Sequence, residues 1–354
     1  MDYIARINKL RRMMEDGGME GLIITRPENR FYLSGFTGED GILFISLDKL
    51  YLVTDSRYVE QAAAESPGWQ VVEVAGDYLK ALPDLGGGQG KVGFESRHIT
   101  YDLYHKLAQH LEGRLKPCVS MVEELRKVKD EEELALIRKA VEIGDAAYRD
   151  ILPFISIGVT EREIAVELER LLKVKGCSRI AFDTIAVSGI RASLPHGKPS
   201  SKRLEAGDML TLDFGGVYEG YAGDTTRTIA IGEAPAYLRN VYQRVLEAQQ
   251  AAIRAVRAGV PCREVDGAAR DYLKAHGLDK YFAHSTGHGL GLQVHEEPAV
   301  GARSEMILQE NMVITIEPGV YITGWGGVRI EDVVIVKETG CEIVTKAEKA
   351  LVIL

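Results

Sequence analysis

Gly158-Val-Thr-Glu-Arg-Glu-Ile-Ala-Val-Glu-Leu-Glu-Arg-Leu-Leu-Lys-Val-Lys-Gly176 returns in outline, 101 positions later, as Gly259-Val-Pro-Cys-Arg-Glu-Val-Asp-Gly-Ala-Ala-Arg-Asp-Tyr-Leu-Lys-Ala-His-Gly277. The two 19-residue windows share seven identities: both end glycines, Val, Arg, Glu, Leu and Lys. Each follows a long helical stretch, about 130–154 and 237–258, has a helix start signal after its Gly-Val, and closes on a terminating glycine. Two helices rich in Glu, Lys and Leu could agree by coincidence. Matched glycines and matched preceding helices make a duplicated half-domain the better account.

Each half continues into a predicted β-hairpin that carries two carboxylates. In the first, Met209-Leu-Thr-Leu-Asp213-Phe-Gly-Gly turns through 217–220 and returns as Tyr221-Ala-Gly-Asp224-Thr-Thr-Arg-Thr-Ile-Ala-Ile231. Asp213 and Asp224 are equidistant from a turn centre between Tyr218 and Glu219, so regular pairing sets them face to face, Cβ atoms roughly 5 Å apart. The second runs Met312-Val-Ile-Thr-Ile-Glu317-Pro-Gly-Val-Tyr, turns around Gly324, and returns as Gly327-Val-Arg-Ile-Glu331-Asp-Val-Val-Ile-Val336, with Glu317 and Glu331 again symmetric about the turn. Opposed carboxylates among apolar strand residues repel and raise each other's pKa unless a cation lies between them. Any one of the four, taken alone, reads as a solvent-facing residue at a strand end. Two symmetric pairs in duplicated halves point to two cations.

Histidine supplies the rest. Three of the eight histidines lie in Phe282-Ala-His284-Ser-Thr-Gly-His288-Gly-Leu-Gly-Leu-Gln-Val-His295-Glu-Glu-Pro298, and His196 precedes the first hairpin. A lone histidine is usually structural, but four flanked by glycines suit a site that a ligand approaches closely. The zinc-protease helix motif is excluded, because no second histidine follows His295-Glu296 at the required spacing and glycine breaks His284–His288. The glycines at 287, 289 and 291 do not continue into a dinucleotide fingerprint.

The first third reads as a small α/β domain. A helix from about Tyr3 to Gly17 precedes apolar strands at 21–25, 42–46, 51–54, 70–74 and 91–94 that alternate with helical stretches. The Gly-rich segment 82–93 reads as a loop and fails the P-loop pattern, with Leu85 at the first glycine position and Val92 after Lys91. Near 120–130 a boundary falls, and Asp130 is the expected N-cap of the next long helix.

A chain of 354 residues is long for one core, so two domains are expected, and 45% hydrophobic with 27% charged residues is ordinary globular composition. A formal charge of −9 argues against a nucleic-acid surface, which normally needs a basic stripe. The first residues lack the apolar core of a signal peptide, and no apolar run reaches the length of a membrane span. Four scattered cysteines suit a reducing compartment and buried thiols, so a cytoplasmic location is expected.

Together, Asp213, Asp224, His288, Glu317 and Glu331 resemble the five-ligand dinuclear site of the pita-bread metallopeptidases, the group of methionine aminopeptidase, aminopeptidase P and prolidase. Arg26-Pro-Glu-Asn-Arg-Phe-Tyr-Leu-Ser-Gly-Phe36 and Leu52-Val-Thr-Asp-Ser-Arg-Tyr58 resemble the N-terminal domain of the Xaa-Pro branch. The resemblance implies an α+β chain: a small α/β creatinase/prolidase-type domain over 1–124, then a pseudo-twofold pita-bread catalytic domain over 125–354.

It further implies two divalent ions, Mn²⁺ or Co²⁺ first and Zn²⁺ or Fe²⁺ as alternatives. Asp213 and Glu331 would bridge them, Asp224 would chelate one, and His288 with Glu317 would complete the other. Two ions about 3.5–4 Å apart activate water near neutral pH. Glu317 would move the proton to the leaving nitrogen, and His196 and His295 would stabilise the tetrahedral intermediate. His284 and Arg329 are carried over as substrate-binding residues, with partnering of Asp213 or Glu331 an equal reading for Arg329.

The implied substrate is a proline-containing peptide, cut at Xaa-Pro, and the implied assembly a homodimer with neither nucleic acid nor membrane as partner. Prolidases commonly carry an arginine after His-Glu-x-Pro, where this chain has Ala299. That departure favours an aminopeptidase accepting longer peptides over a strict dipeptidase. Methionine aminopeptidase, a creatinase-like hydrolase and a non-catalytic peptide-binding module are the competing readings. The first lacks this N-terminal domain, and the other two lack the full ligand set.

Overall fold

A computed structural model describes residues 1–85, 88–111 and 113–354, and the chain divides into two compact units, Met1–Arg126 and Lys127–Leu354.

The first unit is built on a six-stranded mixed sheet in the spatial order Gln70–Glu73, Leu50–Thr54, Ile42–Ser46, Met19–Ile24, Lys91–Glu95, Leu115–Cys118. Five of these strands follow the apolar runs of the sequence. The sixth, Leu-Lys-Pro-Cys, is a short edge strand with a proline, a composition that masks strand character. The Tyr3–Asp16 helix starts where Asp2 accepts a hydrogen bond from the Ala5 N–H at 2.9 Å. The segment expected to be loop begins with a helical turn, Leu82–Leu85, and its Gly86 and Gly87 lie outside the described residues.

In the second unit the duplication is visible element by element. The helices Glu161–Val174 and Cys262–Ala275 have the same length and the same 101-residue offset as the sequence windows. All four bounding glycines take left-handed backbone, with φ of 91°, 118°, 85° and 70° at Gly158, Gly176, Gly259 and Gly277. That is why glycine marks both ends of both windows. The Gly158 N–H donates to Leu204 O, and the Gly259 N–H donates to Leu308 O, each at 2.9 Å. Each helix packs on a longer one before it, Glu131–Ile151 or Ala236–Ala255. Asp130 and Glu133 form the capping box that starts the first of these.

Each half then lays three antiparallel strands against its helices. They are Ile185–Ser188, Met209–Phe214 and Thr225–Ala230 in the first half, and Gly287–Gly289, Val313–Ile316 and Asp332–Lys337 in the second. Apolar side chains between strands and helices form one core per half, around Leu168 and Phe214 in the first and Val245 and Ile314 in the second. The halves join where Arg227, fully buried, donates to Asp332 Oδ1 at 2.9 Å across the central strands. Gln249 and Lys349 complete the ring around Asp332, at 2.8 Å and 2.6 Å from Oδ2.

Candidate metal centre

The central hairpins bring the acidic residues together, with one register different from expectation. Glu317 and Glu331 do lie opposite each other: Ile316 pairs with Asp332 and Gly319 with Arg329, on a ladder that places 317 across from 331. Asp213 does not face Asp224. It faces Thr226, because Val217 pairs with Ala222 and Tyr218 with Tyr221. The turn therefore centres between Glu219 and Gly220, whose φ values of 46° and 86° give the left-handed pair that matches strand twist. Asp213 and Asp224 are diagonal neighbours instead, and Thr226 enters the site in the position Asp224 was expected to fill.

All the acidic and histidine residues singled out from the sequence line one cavity of about 860 Å³ within the second unit. His288 is held by close strand contact: a Cβ on Gly287 would lie 1.9 Å from Thr315 O, and one on Gly289 2.3 Å from Glu297 O. These glycines thus serve strand packing, where the sequence suggested ligand approach. His288 Nδ1 lies 3.1 Å from Gly289 O, which leaves Nε2 aimed at Glu317 Oε1 at 3.2 Å and Asp224 Oδ2 at 3.6 Å. An imidazole with Nδ1–H engaged on a carbonyl presents the Nε2 lone pair that a metal takes.

The cluster is electrostatically crowded. Burial, then the charges of Glu331, Asp213 and Glu317, push Asp224 well above the ordinary carboxylate range. Burial, then Glu317 and Asp213, does the same to Glu331. Burial also raises Asp213, against the opposing pull of Arg329. Burial would raise Glu317 too, but the His288 hydrogen bond and charge, together with the charges of Arg329 and His284, hold this carboxyl low. For His288 burial works toward a lower pKa, and Glu317 reverses the sign.

The residues fit divalent metal. Among the described residues, ligand atoms of Asp224, His288 and Glu331 lie within 4.8 Å of one another. Asp213 Oδ1 and Glu331 Oε1 are buried without a hydrogen-bond partner. Unpaired buried carboxylate oxygens are costly and rare. A bound cation would satisfy both and relieve the mutual repulsion of the acids.

The remaining residues form a wall. Arg329 Nη2 donates to Asp213 Oδ2 at 2.6 Å, the partnering reading, while Nη1 donates to Tyr321 Oη at 2.7 Å. His284 Nε2 lies 2.9 Å from the same hydroxyl, and burial lifts the Tyr321 pKa to about 12. His295 stacks obliquely on His288 with ring centroids 4.2 Å apart, and it and His196 are exposed to the cavity. Burial lowers the pKa of His284, and burial followed by the neighbouring His288 lowers that of His295. Sequence reasoning missed Tyr321 and Thr226. Thr226 Oγ1 donates to Glu331 Oε2 at 2.7 Å and accepts from Arg329 Nε at 3.1 Å. A correct hairpin register would have placed Thr226 beside Asp213. No sequence signal marks Tyr321.

Two buried carboxylates, Asp224 and Glu331, two part-buried ones, Asp213 and Glu317, and an imidazole on the floor of an open cavity define a metal-dependent enzyme. The chain belongs to metallopeptidase family M24, whose model matches residues 135–338, and residues 6–128 match the creatinase/prolidase N-terminal domain. It is 36% identical to the Xaa-Pro dipeptidase of Pyrococcus furiosus, over 98% of this chain and 99% of that one. Among solved structures, the Xaa-Pro dipeptidase from Bacillus anthracis superposes with a TM-score of 0.97 at 41% identity, over 100% of both chains. The X-Pro aminopeptidase from Thermotoga maritima gives 0.90 at 38% identity, over 98% of this chain and 100% of that one.

Proposed function

We propose that this protein hydrolyses the Xaa-Pro bond at the N-terminus of peptides, with Asp213, Asp224, His288, Glu317 and Glu331 holding two divalent ions. The observation that carries the reading is the pair of unpartnered buried oxygens, on Asp213 and Glu331, inside a cluster too acidic to be comfortable without cations. When bound, the ions supply Lewis acidity and an activated water. Mn²⁺ or Co²⁺ suits a donor set of carboxylate oxygens with one imidazole.

The protein's own residues do the rest. Glu317, beside His288, accepts a proton from the attacking water and passes it to the leaving nitrogen. His295 and His196 face the cavity and stabilise the negative charge that develops on the scissile carbonyl oxygen. His284, fixed by Tyr321, orients the peptide. A proline nitrogen offers no N–H to grip, so recognition falls to shape. Phe182, Ile185, Pro195 and Val294 supply an apolar wall for the ring.

Ala299 lines the same cavity and offers no charge to a dipeptide carboxylate, which favours longer peptides. The dipeptidase names of two relatives favour the second reading, strict Xaa-Pro dipeptide cleavage. A homodimer in the cytoplasm is the setting proposed for either. Purified protein loaded with Mn²⁺, Co²⁺ or Zn²⁺ would be assayed on Xaa-Pro and Xaa-Pro-Yaa, with Xaa-Ala-Yaa as control. Release of Xaa from the tripeptide is expected. Cleavage of the dipeptide alone selects the second reading, and no preference for proline sinks both.

A further inference from the structure

Between Ser188 and Ser200 the chain leaves the first-half sheet, passes through the 3-10 turn Gly189–Ser193, and presents Pro195, His196 and Gly197 to the cavity. An excursion of this kind has no ladder of its own, so something else must fix it. Arg329 Nη1 donates to Pro195 O at 3.2 Å, and one carboxylate takes up both ends. Glu161, the first residue of the Glu161–Val174 helix, is 0% exposed. Its Oε1 accepts from the Ser188 N–H at 2.7 Å and the Ser188 hydroxyl at 3.0 Å. Its Oε2 accepts from Arg191 Nε at 3.0 Å, the Ser200 N–H at 3.0 Å and the Ser200 hydroxyl at 2.7 Å. Arg191 Nη2 then donates to Lys198 O at 2.7 Å, two residues beyond His196.

We infer that Glu161 is a positioning residue for His196: it closes the start, middle and end of the excursion onto one buried charge. An acidic residue in the first helical turn usually serves the helix itself. Here Thr160 and Glu163 already form the capping box, and the Glu161 oxygens are taken up by the excursion. Charge-assisted bonds to a dry carboxylate are the strong kind. A glutamine in its place accepts on one side only, so either the Ser188 or the Ser200 donors would meet an NH₂ group.

The kinetic part of the inference rests on the Xaa-Pro reading; the structural part does not. In Glu161→Gln, hydrogen exchange over 188–200 is expected to accelerate while the strands Met209–Phe214 and Val313–Ile316 and the bound-metal content stay as in the wild type. Turnover of Xaa-Pro-Yaa is expected to fall by about 10–100-fold, the usual cost of losing an outer hydrogen-bond partner. His196→Ala should lose as much, and the double variant no more than His196→Ala alone. Glu163→Gln, which disturbs only the helix cap, should leave turnover unchanged. Unchanged exchange over 188–200, or losses from Glu161→Gln and His196→Ala that multiply, would overturn the inference. If Glu161→Gln does not fold, Arg191→Met and Ser200→Ala each remove part of the same clasp and are read the same way. A wild-type protein without peptidase activity sinks the Xaa-Pro reading while the exchange measurement still decides the clasp.

Discussion

Arg329 Nη2 lies 2.6 Å from Asp213 Oδ2, and the other oxygen of the same carboxylate has no hydrogen-bond partner among the described residues. One oxygen is anchored by a fixed cation while the other is left for a ligand. Arg329 is only 4% exposed and also donates to Tyr321, to Thr226 and to Pro195 O, so its guanidinium serves four segments at once. Arg329→Met strands a buried acid and should cost about 3–5 kcal/mol of stability, the range for breaking a buried pair. Arg329→Lys keeps the charge but not the fork, and should rescue little of it. Urea unfolding and kcat/KM on Xaa-Pro-Yaa measure both effects; a lysine variant equal to the wild type would refute the geometric argument.

Asp224 is the acid whose charged form has least support in the protein. Burial and the charges of Glu331, Asp213 and Glu317 all oppose ionisation, and the charge of Arg329 is what favours it. The proposed metal would supply that support. Asp224→Asn should leave the fold intact and remove at least one equivalent of bound metal on dialysis, with activity reduced beyond about 100-fold. Metal analysis after gel filtration checks this. Retention of full metal and activity would dismantle the ligand assignment.

Metal removal should be felt as instability as well as inactivity. A ligand that binds only the native state stabilises it by about 2.7 kcal/mol at a hundred times its Kd. Chelation is therefore expected to lower the Tm, and restoring Mn²⁺ or Co²⁺ to recover it along with activity. An unaltered Tm would mean that the acids tolerate one another without cations.

The Arg227–Asp332 pair offers a contrast. It ties the two halves together behind the site, with side-chain exposures of 1% and 0%. Arg227→Met should cost about 3–5 kcal/mol of unfolding free energy. The folded fraction should bind metal nearly as the wild type does, since neither residue lines the cavity.

What could be read from the sequence was what is periodic or punctuated. Gly158, Gly176, Gly259 and Gly277 reveal the duplication because left-handed backbone strongly favours glycine, and the same conformation recurs in both halves. The second hairpin was placed correctly because Gly324, with φ of 79°, sits at its centre. The first was misplaced because its turn is Glu219-Gly220, and a glutamate in left-handed backbone carries none of the Asn-Gly or Asp-Gly signal. A shift of one residue in the turn centre moved Asp224 two places along the ladder and hid Thr226. Tyr321 and Glu161 stayed hidden for a different reason. The Tyr321 hydroxyl meets Arg329 8 positions away and His284 37 positions away, and the Glu161 partners lie 27 or more positions away, so only the folded sheet brings these groups together.

Ala299 bears on the choice of substrate. A free dipeptide carries its carboxylate one residue beyond the scissile bond, and an arginine fork there would add a bidentate, charge-assisted contact. Ala299 lies in the Glu296–Val300 strand with its small side chain exposed at the cavity, where a longer residue has room to enter. Ala299→Arg is expected to raise kcat/KM for Xaa-Pro by about tenfold, the equivalent of one bond to a charged group. The gain should appear in KM, because the carboxylate is gripped equally before and during bond cleavage. For Xaa-Pro-Yaa the same arginine meets a neutral amide and occupies space the third residue needs, so kcat/KM should fall. A variant that gains on both peptides, or on neither, would show that the carboxylate end of the substrate lies elsewhere in the cavity.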